Sequence, residues 1–255
     1  DVCSSDLNKI SIDDDVVFID FPTSPDAEFD PSLLPPADQI AAFFLETYQG
    51  WGAWMYPQKY IDKLYKTSRD NNILFCFDEV QAGFYRMGTL YGYQTYGDYK
   101  PDLITVGKGL TSSLPLSAVI SREEIIDCDP SANLSSTHAG NTLCCAAGLA
   151  NLEFLTEESF QNELREKCEY FEAKCNSLLK YDIVKKVNVR GLIAGIILDD
   201  VDTTSKIVES CIRQGILVMS TKRESVKLGP PLTITLEALK EVFEVLETYI
   251  WSNTK

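Results

Sequence analysis

The stretch that decides the fold runs from Ile73 to Leu110, where two apolar segments each end beside one charged residue. Ile73-Leu-Phe-Cys-Phe77 leads into Asp78-Glu-Val-Gln81, and Leu103-Ile-Thr-Val106 leads into Gly107-Lys-Gly-Leu110. Short apolar segments of this kind are typical of strands buried in a parallel sheet. A carboxylate at the end of such a strand is costly unless a cation offsets its charge. The stretch therefore predicts two strands that end in an acid and a lysine.

The flanking segments continue an alternation of strands and helices. Ile40-Ala-Ala-Phe-Phe-Leu45 predicts a strand buried on both faces, and Val16–Phe21 and Ser117–Ile120 predict two more strands. Pro57 predicts the start of a helix, because proline suits the first turn. This alternation predicts an α/β fold with a mostly parallel sheet.

In the second part of the chain the sequence pattern changes to short strands and helices, which predicts a domain boundary near residue 180. Residues 158–180 predict a long amphipathic helix, and short strands and helices follow from Val184 onward. We therefore predict a large α/β domain over residues 8–180 and a small C-terminal α+β domain over residues 181–255. Residues 1–7 fit nothing that follows and resemble translated sequencing-adapter sequence, so we predict a non-native leader there.

Composition excludes some classes of partner and site. With 23 basic and 38 acidic residues the net charge is −15 (23 − 38), which disfavours nucleic acid and anionic membrane surfaces. Eight cysteines without paired C-x-x-C spacing and a single histidine predict no metal site. No apolar segment approaches the roughly 18 residues of a membrane-spanning helix. We predict a cytoplasmic protein with reduced thiols.

An acid and a lysine on successive strands suit the chemistry of pyridoxal 5'-phosphate. The acid keeps the pyridine nitrogen protonated, and the lysine carries the cofactor as a Schiff base. The alternative is a nucleotide-binding acid at Asp78 with a phosphate-binding lysine at Lys108. That alternative is disfavoured because the lysine motif follows the acid instead of preceding it, and Asp102 stands where its first glycine is required.

Two motifs, Asp78-Glu-Val-Gln-Ala-Gly-Phe-Tyr-Arg-Met-Gly88 and Gly107-Lys-Gly-Leu110, closely resemble the class III aminotransferases. These are pyridoxal-phosphate enzymes of fold type I. The resemblance implies that Asp78 pairs with the pyridine nitrogen, Val80 packs against the ring and Gln81 hydrogen-bonds its phenolic oxygen. It also implies that Lys108 carries the cofactor and moves the substrate proton.

Two further motifs resemble the same family in the same order. Ser135-Ser-Thr-His-Ala-Gly-Asn141 is similar to its Thr-x-Gly-Gly-Asn loop, which implies that Thr137 reaches the cofactor phosphate of a neighbouring subunit. A homodimer with shared active sites follows from that role. Taken alone, the loop is equally a helix cap. Glu46-Thr-Tyr-Gln-Gly50 is similar to Glu-Pro-x-Gln-Gly, which implies that Glu46 lies in the substrate pocket.

The C-terminal motif, Val226-Lys-Leu-Gly-Pro-Pro-Leu232, departs from the family at the substrate-binding position. Many relatives have an arginine that clamps the substrate carboxylate where this chain has Lys227. A lysine cannot make the planar two-bond contact of an arginine. The departure argues against the usual dicarboxylate specificity.

The reaction implied by the resemblance moves an amino group from a small amine or amino acid to a 2-oxo acid. A racemase, epimerase or aminomutase of the same fold is the alternative within this chemistry, and a non-catalytic fragment is the alternative outside it. The family's N-terminal portion, with its phosphate loop and its ring-stacking aromatic residue, has no equivalent before Asp78. We therefore expect an N-terminally truncated fragment that is inactive or needs a complementing fragment.

Overall fold

The computed structural model describes residues 15–129, 131 and 137–254, so the predicted leader and the predicted start of the large domain at residue 8 lie outside the described residues. The strands are β1 (Ala42–Glu46), β2 (Tyr48–Gln49), β3 (Trp54–Met55), β4 (Leu74–Asp78), β5 (Leu103–Val106), β6 (Ala118–Ser121), β7 (Val184–Arg190), β8 (Ile193–Leu198), β9 (Met219–Ser220) and β10 (Ser225–Leu228). The α-helices are α1 (Gln58–Asp70), α2 (Glu123–Ile126), α3 (Thr142–Leu155), α4 (Glu158–Ser177), α5 (Val201–Arg213) and α6 (Leu236–Ser252). None of the described helices has the length and continuous apolar surface needed to span a bilayer.

The first sheet is mostly parallel and has the strand order β1-β4-β5-β6. β1, β4 and β5 run parallel, whereas β6 pairs antiparallel with β5. The central strand β4 buries Phe75, Cys76 and Phe77 completely, as expected of a strand covered on both faces. Pro57 caps α1, which packs Tyr60, Ile61 and Leu64 towards the core beside this strand. The α/β class with a mostly parallel sheet is confirmed.

In the N-terminal part, one strand prediction is wrong, and another is right about the strand but wrong about its burial. Residues 16–21 pair with no strand among the described residues, and Val16, Val17 and Phe18 are more than half exposed or close to it. β1 is not buried on both faces, because Phe44 is 63% exposed while its neighbours Phe43 and Leu45 are buried. Apolar composition alone predicts a strand, but pairing and coverage depend on which segments lie next to it in space.

The second sheet is antiparallel, with the strand order β7-β8-β10-β9. β8 is buried along its whole length, and α4, α5 and α6 pack around the sheet. The edge strand β9 has only two residues. α4 contacts β7, α3 and α6, and the apolar core extends from Phe160 to Ile250. The domain boundary near residue 180 stays a prediction.

The two sheets meet through backbone contacts that only glycine permits. A Cβ added at Gly195 of β8 would lie 2.0 Å from the carbonyl oxygen of Gly52, in the turn between β2 and β3. Asn188 of β7 donates to the same oxygen from Nδ2 at 2.8 Å. Gly191 has a φ of +59°, and a Cβ there would lie 2.6 Å from the backbone nitrogen of Gly88. These contacts bring the second sheet against the segments that follow β1 and β4.

Candidate functional site

Asp78 ends β4, and its carboxylate lies level with the ends of the two neighbouring strands. In the sheet register it pairs with Glu46 of β1 on one side and with Thr105 of β5 on the other. Its Oδ1 accepts hydrogen bonds from the Val80 backbone N–H at 2.9 Å and from Thr105 Oγ1 at 3.1 Å. Its Oδ2 takes no hydrogen bond from the described residues. One oxygen is thus anchored, and the other is available to an N–H donor of a ligand.

Lys108 follows β5 and opens a short 3-10 helix (Lys108–Leu110). Its backbone lies in the left-handed region, at a φ of +35°. A non-glycine residue there costs on the order of 1–3 kcal/mol, and such strain concentrates at functional sites. The following glycine lets this turn approach the loop after β4, since a Cβ on Gly109 would come within 3.2 Å of Phe84 Cβ. The side chain of Lys108 is exposed and lines a cavity.

The cavity has a volume of about 570 Å³ and lies between the loops that follow β4 and β5 and the second sheet. That volume falls within the range of small-molecule sites, roughly 300–1,000 Å³. Three of the predicted site residues line it, namely Lys108, Gln81 and Lys227. The other predicted residues do not line it: Asp78, Val80, Glu46 and Thr137. Thr137 is exposed in the turn before α3, so its role towards a neighbouring subunit stays a prediction.

Lys227 is brought to the site from the far end of the chain. It lies on β10 between Gly195 of β8 and Met219 of β9, and only 6% of it is exposed. Its Nζ donates a hydrogen bond to Gln81 Oε1 at 3.2 Å across a sequence separation of 146 residues. A buried ammonium group of this kind supplies positive charge at one end of the cavity.

The pKa of Glu46 depends on several of the other predicted site residues. Burial raises the pKa of Glu46 above its usual value, and the Asp78 carboxylate raises it further. Lys108 and Lys227 oppose that increase in pKa. Glu46 therefore lies within electrostatic reach of the other acid and of both lysines, although they come from separate segments of the chain. Its carboxyl group keeps a proton to higher pH than that of an exposed glutamate.

Sequence reasoning missed Glu79, which is completely buried next to Asp78. Its carboxylate accepts hydrogen bonds from the Thr47 hydroxyl and from the backbone N–H groups of Gly92 and Tyr93. Burial raises the pKa of Glu79, and these hydrogen bonds oppose the rise. Thr47 stands where the resembling motif has proline, and proline has no hydroxyl to donate. Glu79 thus ties the segment after β1 to the loop after β4.

Arg86 is a second group to which the sequence assigned no role, and it is half-buried. Its Nη1 donates to the carbonyl oxygens of Leu192 at 2.9 Å and Pro230 at 2.6 Å. Burial lowers the pKa of its guanidinium. Arg86 lines the cavity but uses its donors to hold the second sheet and the loop after β10. The only sequence signal was an arginine within the motif that follows Asp78.

Tyr48 lines the cavity and allows a prediction about the stability of the protein. The residue is 2% exposed, and its buried hydroxyl has no hydrogen-bond partner among the described residues. Burial raises the pKa of Tyr48, so the hydroxyl keeps its proton. An unsatisfied buried donor costs about 1–3 kcal/mol. We expect Tyr48→Phe to leave the free energy of unfolding unchanged or to raise it by about 1 kcal/mol in urea denaturation.

The matched control for that variant is Tyr96→Phe. Tyr96 is also buried, but its hydroxyl donates to the Thr47 carbonyl oxygen at 2.7 Å and accepts from the Tyr56 N–H at 3.0 Å. Removing it is expected to lower the free energy of unfolding by about 1–3 kcal/mol, because two buried groups lose their partner. Equal losses in both variants would show that the Tyr48 hydroxyl has a partner and would contradict the prediction.

Comparison with known proteins identifies one family. The family model described as aminotransferase class-III matches residues 33–250. An acetylornithine aminotransferase from Caldanaerobacter subterraneus is 34% identical over 212 residues, covering 82% of this chain and 53% of that protein. An isoleucine 2-epimerase from Lentilactobacillus buchneri is 32% identical over 223 residues, covering 83% of this chain and 49% of that protein.

Solved structures give the same result for the fold. An S-selective transaminase from Arthrobacter sp. superimposes with a TM-score of 0.78 at 28% sequence identity. The match covers 86% of this chain and 53% of that structure. The chain therefore spans about half the length of the relatives that it matches.

Proposed function

This chain belongs to the class III aminotransferase family, and from that premise we propose that it transfers an amino group from an amine or amino acid to a 2-oxo acid. The observation that carries the proposal is the placement of Asp78 and Lys108 after adjacent parallel strands. A carboxylate anchored at the end of one strand, and a lysine that follows the next strand and lines the cavity, are the two protein groups that this chemistry requires.

The residues present fit pyridoxal 5'-phosphate as the cofactor. Asp78 would hold the pyridine nitrogen through Oδ2, the oxygen that accepts no hydrogen bond from the described residues. Lys108 would bind the cofactor covalently through Nζ. Val80 and Gln81 would contact its ring, and Thr137 of a second copy would contact its phosphate. When bound, the cofactor supplies the electron sink that stabilises negative charge on the substrate carbon.

The chain's own residues then move the proton and orient the substrate. Lys108 Nζ, at the open side of the cavity, would take the proton from the substrate carbon and return it as a general base and acid. Lys227 Nζ, buried at the other side, would bind a substrate carboxylate as a single positive charge. Glu46 would lie beside the substrate, since it is in electrostatic reach of both lysines.

The partner we propose is a second copy of the chain, forming a homodimer with shared active sites. Helix α3 supports this proposal because apolar residues lie on all of its faces, although only Cys144, Gly148 and Leu155 are buried. Leu143 and Leu149 on this helix are more than half exposed. A helix that is apolar on every face is normally buried. For location we propose the cytoplasm, which the free thiols of all the described cysteines support.

A second candidate function is epimerisation of an amino acid, and one observation favours it. The isoleucine 2-epimerase noted above is nearly as similar to this chain as the acetylornithine aminotransferase. Both reactions use the same proton removal at the substrate carbon, and they differ in the fate of the amino group. Only amino transfer consumes a 2-oxo acid.

The test is a spectroscopic and kinetic measurement on the purified 255-residue chain mixed with pyridoxal 5'-phosphate. We expect a visible absorption band of bound cofactor and, after borohydride reduction, a cofactor-bearing peptide that contains Lys108. Amine-dependent conversion of a 2-oxo acid into an amino acid by this chain alone would support the proposed activity and would refute the expectation that the chain is inactive without a complementing fragment. Racemisation of an amino acid without consumption of a 2-oxo acid would favour the epimerase. A colourless protein without turnover would contradict both activities for this chain.

A further inference from the structure

The loop between β10 and α6, Gly229-Pro-Pro-Leu-Thr233, forms one wall of the cavity (the 229–233 wall). Four of its five residues line the cavity. Pro230 and Pro231 have no backbone N–H, so they cannot donate to a neighbouring strand. The position of the wall therefore depends on whatever binds its carbonyl oxygens.

Two cations bind those carbonyl oxygens, the half-buried Arg86 and the fully buried Lys167. Arg86, from the loop after β4, donates to Pro230 O at 2.6 Å. Lys167, from the middle of α4, donates from Nζ to Leu232 O at 2.6 Å. The two donors come from different segments and hold alternate residues of the wall, so together they restrain both its position and its twist.

Lys167 is unusual among the lysines of this chain because only 1% of it is exposed. Its Nζ pairs with Glu163 Oε1 at 2.9 Å, and it lies 5.7 Å from the centre of the Phe160 ring. Burial of an ammonium group is costly, and an apolar side chain of similar volume often gives equal or greater stability at such a position. Packing alone therefore does not account for a lysine here. A lysine adds the ion pair with Glu163 and the hydrogen bond to Leu232 O, and of these two only the hydrogen bond reaches the 229–233 wall.

We propose that Lys167 is a positioning residue for the substrate side of the active-site cavity. Its hydrogen bond fixes the 229–233 wall, whereas Lys227 is held by the strand pairing of β10. The wall and Lys227 both line the cavity, so the position of the wall sets the space in which a substrate carboxylate can reach Lys227. This inference rests on the proposed function, since it concerns the substrate of that site.

The test compares Lys167→Met with Lys167→Arg and with Lys180→Met, a control at an exposed lysine that pairs with Glu247. The amide of Ile234 reports the order of the wall directly, because it donates to Pro231 O at 3.0 Å. In Lys167→Met we expect hydrogen exchange of this amide to become about tenfold faster, while the amides of β8 keep their rates. Lys167→Arg and Lys180→Met should exchange as the wild type does.

Kinetics provide the second readout. A displaced wall weakens substrate binding more than it changes the reacting groups, so Lys167→Met should raise KM for the amino donor about three- to tenfold with kcat nearly unchanged. A purely structural role would instead lower thermal stability and accelerate exchange at Ile234 and in β8 alike.

Three results would overturn the inference: unchanged Ile234 exchange in folded Lys167→Met, equal acceleration throughout the second sheet, or an unchanged KM beside faster exchange. If Lys167→Met does not fold, Lys167→Arg provides the test. This variant keeps a cationic donor, so faster hydrogen exchange at Ile234 in it would also overturn the inference. The exchange measurement needs no turnover. If the wild-type protein showed no amino transfer, the proposed function would be contradicted. Hydrogen exchange would still test whether Lys167 orders the 229–233 wall.

Discussion

Replacing Lys108 by alanine is expected to abolish covalent cofactor attachment and to lower the amino-transfer rate by at least about a thousandfold. Both effects follow from one atom, since Nζ is proposed to carry the cofactor and to move the proton at the substrate carbon. Among the described residues, Lys227 is the other lysine lining the cavity, and it cannot replace Lys108 because it is held on β10 with its Nζ bonded to Gln81. Peptide mapping after borohydride reduction and a rate assay at saturating cofactor measure the two effects.

The control for this variant is Lys66→Ala, at an exposed lysine of α1 that pairs with Asp70. It should keep wild-type cofactor attachment and rate, because a surface ion pair contributes at most about 1 kcal/mol to stability. If Lys108→Ala retained a rate within tenfold of the wild type, or if borohydride fixed the cofactor to another lysine in the wild type, the proposed role of Lys108 would be wrong.

Replacing Gly195 by alanine is expected to lower the free energy of unfolding by about 3–5 kcal/mol. The added Cβ would lie 2.0 Å from Gly52 O and 2.3 Å from its carbonyl carbon, so backbone atoms have to move. Such a displacement also breaks the hydrogen bond from Asn188 to Gly52 O. For a chain of this size the loss corresponds to a Tm lower by about 10 °C, measured by calorimetry.

Gly148→Ala is the matched substitution for that experiment. A Cβ at Gly148 meets its nearest neighbour, the Leu110 carbonyl oxygen, at an ordinary contact distance of 3.6 Å, and the position lies inside α3. Alanine favours a helix over glycine by about 1 kcal/mol, so this variant should unfold at an equal or higher temperature. A Gly195→Ala protein as stable as Gly148→Ala would mean that the turn at Gly52 can move away from β8 at little cost.

How well a structural feature could be predicted from the sequence depends on the distance along the chain over which that feature is determined. β4 and β5 were predicted to within one residue, because continuous apolar segments bounded by polar residues define strands locally. The strand at residues 16–21 was wrong, since an apolar segment needs a partner strand to pair with and the local sequence does not supply that information.

The residues of the candidate site also fall into those that could be predicted from the local sequence and those that could not. Asp78 and Lys108 were predicted as candidate residues because each follows its own strand within a few residues. The hydrogen bond from Lys227 to Gln81 was not predicted, nor were the roles of Glu79, Arg86 and Lys167. Each of these contacts joins segments that are far apart in the chain, as far as 146 residues for Lys227 and Gln81.

The sequence by itself determined the class of fold, the strands that present the acid and the lysine, and the family to which the motifs belong. These features depend on side-chain periodicity and on short motifs, which act over a few residues. The tertiary structure decided which buried charges meet and what they hold. A buried carboxylate or ammonium group needs a partner, and the identity of that partner depends on the packing of both sheets. That packing in turn depends on backbone contacts such as Gly195 against Gly52, which no local pattern encodes.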